Sequence, residues 1–223
     1  MPEAPLFFHI SGIPHYVTYS WVAMIILLSV AIIVRSSLKL VPTGVQNVVE
    51  VVVEYILDLS EKNIGHMGRY FFPLIATIFT YILVCNFLGL IPGFDAPTGN
   101  LNTTASIAIP VFLATHYYGI KIHKLGYLKH FLGPIRSFIA LPLMILIFFI
   151  ELIGHIARPL TLSVRLFGNM MAKHILLGIL AILAPWFVPI FILVLGTLVG
   201  VVQALVFALL TALYLAGAVE EAH

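Results

Sequence analysis

The chain has 223 residues, of which 61% are hydrophobic and only 9% charged, and its mean hydropathy is +1.12. A soluble domain carries about 25% charged residues, so this composition excludes a water-exposed surface of ordinary polarity and indicates a protein embedded in a lipid bilayer. The formal net charge of +2 gives no support for a nucleic-acid partner, and the single Cys85 excludes an intrachain disulfide.

The first apolar segment, residues 17–35, is long enough to span the bilayer. Basic residues follow it at Arg35 and Lys39, which favours an N-terminus outside and a cytoplasmic end after the span. Residues 45–62 differ, because valines and isoleucines recur at helical spacing opposite a row of acidic residues. This pattern predicts an amphipathic helix on the cytoplasmic surface of the membrane, and a helix packed against a soluble partner is the alternative.

Two further spans are predicted at residues 71–91 and 104–120. The loop between them, residues 94–103, has no lysine or arginine and is therefore expected outside. The densest basic cluster follows the second of these spans and indicates the cytoplasm; it comprises Lys121, Lys124, Lys129 and Arg136.

The C-terminal half consists of two long apolar stretches, residues 137–184 and 188–219. A straight helix over the first would be about 70 Å long, more than twice the ~30 Å of a bilayer core. We therefore expect a strongly tilted helical hairpin, with Pro159 as a candidate kink. The sequence thus predicts an all-α integral membrane protein, residues 1–223 in one membrane domain, with about five membrane helices and one amphipathic helix on the cytoplasmic side.

The first stretch of the hairpin carries polar and charged residues that a lipid-facing helix would exclude. A charge at the middle of the bilayer costs at least ~2.5–3.5 kcal/mol on insertion scales. At helical spacing these residues fall within a stripe of roughly 60–80°, so one face should line water or another protein. The stripe contains Glu151, His155, Arg158, Arg165, Asn169 and Lys173.

The side chains around Arg165 admit more than one interpretation. Glu151 could form an ion pair with Arg158 or accept and release protons, and its spacing from His155 suits a metal pair. No HExxH motif and no second ligand pair accompany it, so neither a metal nor a cofactor is predicted. Lys173 is expected to reach the membrane interface, and His174 is either a proton relay or a histidine satisfied by a neighbour.

Arg165 lies far from both ends of its stretch. An arginine does not deprotonate at any working pH, so Arg165 cannot itself relay a proton. It can instead lower the pKa of a passing carboxylate and block direct proton hopping through its position. On the second stretch, Gln203 could hydrogen-bond Arg165 or act as general polar glue between helices.

Five segments resemble, in order, the motifs of the ATP synthase subunit a family. The sequence RLFGNM at residues 165–170 is similar to the family signature, preceded by PLTLS at residues 159–163. QALVF at residues 203–207 is similar to the matching segment of the last helix, and PTGVQN at 42–47 and NFLGLIP at 86–92 complete the series. The resemblance extends over almost the whole chain.

The resemblance implies roles for five residues of the hairpin. Arg165 would face the carboxylates of the rotor c-ring, with Asn169 and Gln203 beside it. Glu151 would belong to the cytoplasmic half-channel and His174 to the outer one, where Gly196 occupies the facing position. The remaining residues assigned to or near the proton pathway are His155, Arg158, Thr161 and Ser163.

The same resemblance implies a non-catalytic proton-channel component of an enzyme complex. Its partners would be the c-ring, the b subunits of the peripheral stalk and the lipid bilayer, with H⁺ or Na⁺ as the coupling ion. The expected location is a bacterial inner membrane, with the C-terminus cytoplasmic; a thylakoid membrane is the alternative.

Two rival functions are a stand-alone transporter with Arg165 as an anion-binding site and a purely structural scaffold.

Overall fold

A computed structural model of the chain shows regular structure that is entirely helical in the described residues, which confirms the predicted fold class. The predicted basic residues Lys129 and Arg136 lie outside the described part of the chain. The structure describes residues 12–36, 38–91, 93–124, 141–183 and 188–219.

Six α-helices follow one another within the described ranges, and each agrees with a helix predicted from the sequence. Short 3-10 turns, Gly65–Met67 and Pro97–Gly99, precede the third and fourth. The helices are α1 His15–Ser36, α2 Val45–Ile64, α3 Gly68–Leu88, α4 Leu101–His123, α5 Leu141–Leu183 and α6 Val188–Val219.

By length and composition, four helical stretches of the described residues can cross a membrane. They are His15–Ser36, Val45–Leu88, Met144–Leu180 and Ile190–Val219. Helix α4 is long enough to cross but is less apolar than these, because polar side chains such as Asn102 and Lys121 lie within it. Its place across the membrane, predicted as residues 104–120, therefore stays a prediction.

Helices α2 and α3 form one long apolar stretch that the Gly65–Met67 turn divides. Gly65 has a φ of +72°, a left-handed conformation that glycine adopts without steric cost. At Gly68 the backbones approach so closely that a Cβ would lie 2.6 Å from the carbonyl oxygen of Ser60. The Ser60 hydroxyl donates to the carbonyl oxygen of Gly68 at 2.7 Å, and this bond closes the turn. The turn separates α2 from α3, and the interfacial position of α2 stays a prediction.

The core lies between α3 and α6. Ala204, Ala208 and Ala212 recur every four residues on one face of α6, and all three are completely buried. Small side chains at this spacing let two helix backbones approach closely in a membrane. Larger side chains of α3, including Phe71 and Ile75, fill the same cluster. Helix α6 therefore packs against the N-terminal helices, and α5 packs against α6 and α4.

Helix α5 is one continuous helix of 43 residues, about 65 Å long at ~1.5 Å per residue. It passes through Pro159, which has no amide hydrogen to donate within the helix. Just beyond, the Ser163 hydroxyl donates to the carbonyl oxygen of Pro159, and Thr161 Oγ1 donates to that of Arg158 at 3.0 Å. These two hydroxyls, predicted to support the pathway, therefore satisfy backbone carbonyls beside the proline.

Candidate functional site

The polar residues of α5 lie within the predicted stripe but differ in burial. His155 and Lys173 are buried against neighbouring helices, whereas Arg165 and Asn169 are exposed. Helix α5 contacts α4 and α6 over different parts of its length. At about 100° per residue His155 and Lys173 lie at the same angle around α5, whereas Arg165 lies about 80° away from them. The covered edge of the stripe therefore carries His155 and Lys173, its open edge carries Arg165, and Arg165 lies between two clusters along the helix.

The first cluster joins α5 to α4. Glu151 Oε1 lies 3.2 Å from His155 Nε2 one turn later, and the His155 side chain is only 9% exposed. The imidazole rings of His155 and His116 of α4 meet edge to face, with centroids 5.1 Å apart. His116 Nδ1 is 2.9 Å from the carbonyl oxygen of Phe112, and that oxygen can only accept a hydrogen bond. One carboxyl and two imidazoles are thus held together.

Arg158 lies in the same region, but it does not form the ion pair with Glu151 that was one of the two predicted alternatives. Its guanidinium carbon lies 5.3 Å from the centre of the Tyr214 ring of α6, a cation–π contact. The pair that forms instead is Glu151 with His155. A small cleft lies among α4, α5 and α6, and His116, His155, Arg158 and Tyr214 are among the residues that line it.

Arg165 is a cation on an open surface. Within the described residues, no acidic side chain lies within ion-pair distance of it. The adjacent Leu166 is completely buried, so the backbone here is anchored while the guanidinium points outward. A Cβ built on the nearby Gly168 would meet nothing within 4 Å, so no described residue covers the helix surface at Gly168. This arrangement can receive a partner that carries a negative charge.

Asn169 connects the exposed surface to α6. Its Nδ2 donates to Gln203 Oε1 at 2.8 Å, and Gln203 is only 5% exposed. Of the two predicted alternatives for Gln203, the hydrogen bond seen in the described residues is the one between helices, with Asn169 and not Arg165 as the partner. Asn169 lies one helical turn after Arg165, and its bond to Gln203 joins this part of α5 to α6.

The second cluster surrounds Lys173 and His174. Lys173 is buried and does not reach the interface as predicted, since its methylene stem lies over Gly196 of α6. A Cβ at Gly196 would lie 2.9 Å from Lys173 Cδ, so Lys173, not His174, occupies the space that this glycine leaves. The His174 ring lies instead near Gly99, in the turn before α4. Neither Lys173 Nζ nor His174 Nε2 has a hydrogen-bond partner among the described residues.

A buried network beside this cluster links three parts of the chain. Thr98 Oγ1 donates to Asn86 Oδ1 at 2.8 Å, and Asn86 Nδ2 donates to the carbonyl oxygen of Gly200 at 3.0 Å. Asn86 belongs to α3, Gly200 to α6, and Thr98 to the turn whose next residue faces His174. The network therefore holds the turn and both helices in the arrangement that forms the second cluster.

Sequence reasoning missed His116, Tyr214, Asn86 and Thr98. Asn86 had a detectable signal, because it is a polar residue inside an apolar helix and such residues are costly in lipid unless paired. Tyr214 and His116 had weaker signals, since aromatic and histidine side chains are common near the ends of membrane helices. In the part of the chain that the structure describes, no group of three or more His, Cys, Asp or Glu residues could hold a metal ion.

Comparisons with known proteins identify the family of the chain. The family model described as ATP synthase A chain matches residues 17–216. The chain is 51% identical to ATP synthase subunit a of Trichlorobacter lovleyi and 50% identical to that of Geobacter sulfurreducens. It is 49% identical to ATP synthase subunit a 1 of Pelobacter propionicus. Each of the three alignments covers 93% of this chain and 88% of the relative. The family match over nearly all helices, together with the exposed arginine between two polar clusters, shows that the chain belongs to the ATP synthase subunit a family.

Proposed function

We propose that this chain is the stator subunit that carries protons past the rotor c-ring of a rotary F-type ATP synthase, with Arg165 facing the ring carboxylates. The observation that carries the proposal is the exposed guanidinium of Arg165, which has no acidic partner in the described residues. A permanent cation in a membrane protein requires a partner or water, because an isolated charge is costly in lipid. A carboxylate on a second subunit supplies that partner.

The two clusters on either side of Arg165 suit two half-channels. Glu151 precedes Arg165 by 14 residues and His174 follows it by 9, or about 21 Å and 14 Å along a helix. The depth that this combined ~35 Å spans across the membrane is smaller, because the helix is expected to be strongly tilted in a bilayer core of ~30 Å. Neither cluster therefore needs to cross the whole membrane. The Glu151 cluster would open to the cytoplasm and the His174 cluster to the outside.

The mechanism follows from charge. A proton entering by the outer half-channel neutralises a ring carboxylate, and the neutral group moves into lipid at far lower cost than its ion. After nearly a full turn the carboxyl reaches the inner half-channel and releases the proton. Arg165 then stabilises the resulting carboxylate and separates the two half-channels. Each proton that crosses down a potential of 100 mV supplies about 2.3 kcal/mol.

The positions of the other subunits follow from the same proposal. The c-ring would contact the exposed faces of α5 and α6 around Arg165, and the b subunits would bind elsewhere on the chain. Basic residues at Arg35 and Lys121 support a bacterial inner-membrane orientation with the N-terminus outside. The lipid bilayer would contact apolar side chains such as Leu28 and Ile32 of α1, which are more than 60% exposed.

The test is ATP-driven proton pumping in inverted membrane vesicles that contain the Arg165→Ala chain, with assembly measured by co-purification of the complex. We expect an assembled complex in which pumping is abolished. The matched control is Arg69→Ala, because Arg69 is also exposed and lies outside the hairpin, 3.5 Å from Glu61. Normal pumping by an assembled Arg165→Ala complex would refute the proposal.

The same preparation separates the two rival functions. A stand-alone transporter with Arg165 as its anion site would move an anion when the purified chain alone is placed in liposomes. A scaffold would lose assembly in the Arg165→Ala variant while any complex that still formed pumped normally. We expect neither, since the proposed chain supplies only one side of the proton-binding site.

A further inference from the structure

We infer that His116 of α4 is a proton-carrying residue of the cytoplasmic half-channel, exchanging protons with the His155–Glu151 pair of α5. This inference rests on the proposed function and adds a second helix to a route otherwise composed of hairpin residues. It starts from the contact between the two imidazoles, with centroids 5.1 Å apart, and from the cleft that both rings line.

The hydrogen bonds define which nitrogens can exchange protons. The carbonyl oxygen of Phe112 can only accept, so His116 Nδ1 carries a hydrogen and Nε2 is the nitrogen that gains and loses one. When Glu151 is ionised, its carboxylate accepts from His155 Nε2 at 3.2 Å, which leaves His155 Nδ1 as the acceptor of a further proton. Each neutral ring thus has one basic nitrogen.

Proton transfer within this cluster needs no oxidant or reductant. A proton bound at His155 makes an imidazolium, and this ring can release Nε2–H to the Glu151 carboxylate or pass Nδ1–H by way of a bridging water to His116 Nε2. In each case one N–H bond breaks, one O–H or N–H bond forms, and one positive charge moves without an oxidant or reductant. An imidazole suits this exchange, because its pKa of about 6.5 lies close to cytoplasmic pH.

The surrounding groups disfavour a second extra proton on the cluster. The Arg158 residue of α5 and the Tyr214 residue of α6 line the cleft together with the two histidines. The Glu151 carboxyl adjoins the cleft through its contact with His155. Arg158 is permanently charged, and two adjacent imidazoliums beside it would repel each other and the guanidinium. The carboxylate of Glu151 offsets one positive charge. The positive charge of Arg158 therefore disfavours charging both rings at once.

The test compares His116→Gln with His116→Glu in assembled complexes, measured as ATP-driven proton pumping across about pH 5–8. Gln and Glu have nearly the same size, but only Glu can carry a proton. We expect His116→Gln to slow pumping at least about 10-fold, which is below the ~10²–10⁴ of a sole proton donor because water in the cleft also carries protons. His116→Glu should restore much of the rate, with an optimum at lower pH, since a carboxyl ordinarily titrates about two pH units below an imidazole.

Two controls separate this inference from the proposed function. His66→Gln changes an exposed histidine in the turn between α2 and α3 and should leave pumping unchanged. Arg165→Ala, measured in parallel, reports the proposed function itself. If Arg165→Ala abolishes pumping while His116→Gln behaves like His66→Gln, only the present inference is overturned. Equal rates for the Gln and Glu variants would likewise overturn it, because they would show a structural role for His116.

Discussion

The buried network of Asn86, Thr98 and Gly200 allows a stability prediction with a worked magnitude. The Asn86→Leu variant keeps a similar shape but removes both hydrogen bonds, at 2.8 Å and 3.0 Å. Interhelical hydrogen bonds in membrane proteins average about 0.6 kcal/mol, so the two together contribute ~1.2 kcal/mol. A buried hydroxyl left without an acceptor adds about 1 kcal/mol at the low end of the known range.

The Gly200 carbonyl adds little to this sum, because it lies inside α6 and can still accept a hydrogen bond within the helix. We therefore expect Asn86→Leu to lower the free energy of unfolding by about 2 kcal/mol. The measurement is unfolding of the purified chain in mixed micelles by a denaturing detergent, followed by loss of helical circular dichroism. Since unfolding must be reversible for this comparison, refolding on dilution of the detergent is part of the assay.

Thr98→Val is the matched variant, because it removes the hydroxyl and keeps the shape of the side chain. If the network is intact, the effects of Asn86→Leu and Thr98→Val are not additive, and the double variant is more stable than the sum of the two losses predicts. Additive losses, or an Asn86→Leu variant as stable as the original chain, would refute the network and the positioning of the turn that follows from it.

Two further predictions concern close contacts of α6. Gly196→Val should lower the free energy of unfolding by about 1–3 kcal/mol, because its Cβ would lie 2.9 Å from Lys173 Cδ and the buried lysine stem must move. Gly178→Val should change the free energy of unfolding little, because a Cβ there meets nothing within 4 Å. Equal effects of the two variants in the same detergent titration would contradict the contact between Gly196 and Lys173. Ala208→Leu should also cost about 1–3 kcal/mol, because Ala208 of α6 is completely buried in the core cluster that also contains side chains of α3. An unchanged transition would show that the two helices are not in close contact there.

The helices themselves were predictable because hydropathy and helix breakers act locally. The sequence predicted a helix over residues 45–62 and the structure shows Val45–Ile64, and the last helix was predicted over its observed extent, residues 188–219. Gly44 and Gly65, both with positive φ, flank α2. In lipid each backbone amide must find a partner within its own helix, so an apolar run of sufficient length has few alternatives to a helix.

The candidate site was predictable only in part. Polar residues in a membrane stretch identified Arg165 and Glu151, because a charge in lipid is costly and rarely occurs without a function. Their contacts were not predictable, since spacing along α5 gives the direction of a side chain but not which neighbouring helix covers it. Lys173 illustrates the limit: a long side chain near a helix end normally reaches the interface, but here Gly196 of α6 provides room for its stem.

The position of Arg165 around α5 connects the fold to the proposed function. Consecutive residues of a helix point about 100° apart, so Arg165 lies at the edge of the buried face that Leu166 defines. Beyond that edge the surface consists of exposed apolar side chains and open glycine, such as Leu160 and Gly168. A cation at such a border can form an ion pair with a carboxylate on the surface of another protein. The adjacent apolar face makes no polar contact that would hinder movement of that surface along α5. An arginine at the centre of the buried face would be inaccessible, and one at the centre of the apolar face would incur the full cost of a charge in lipid.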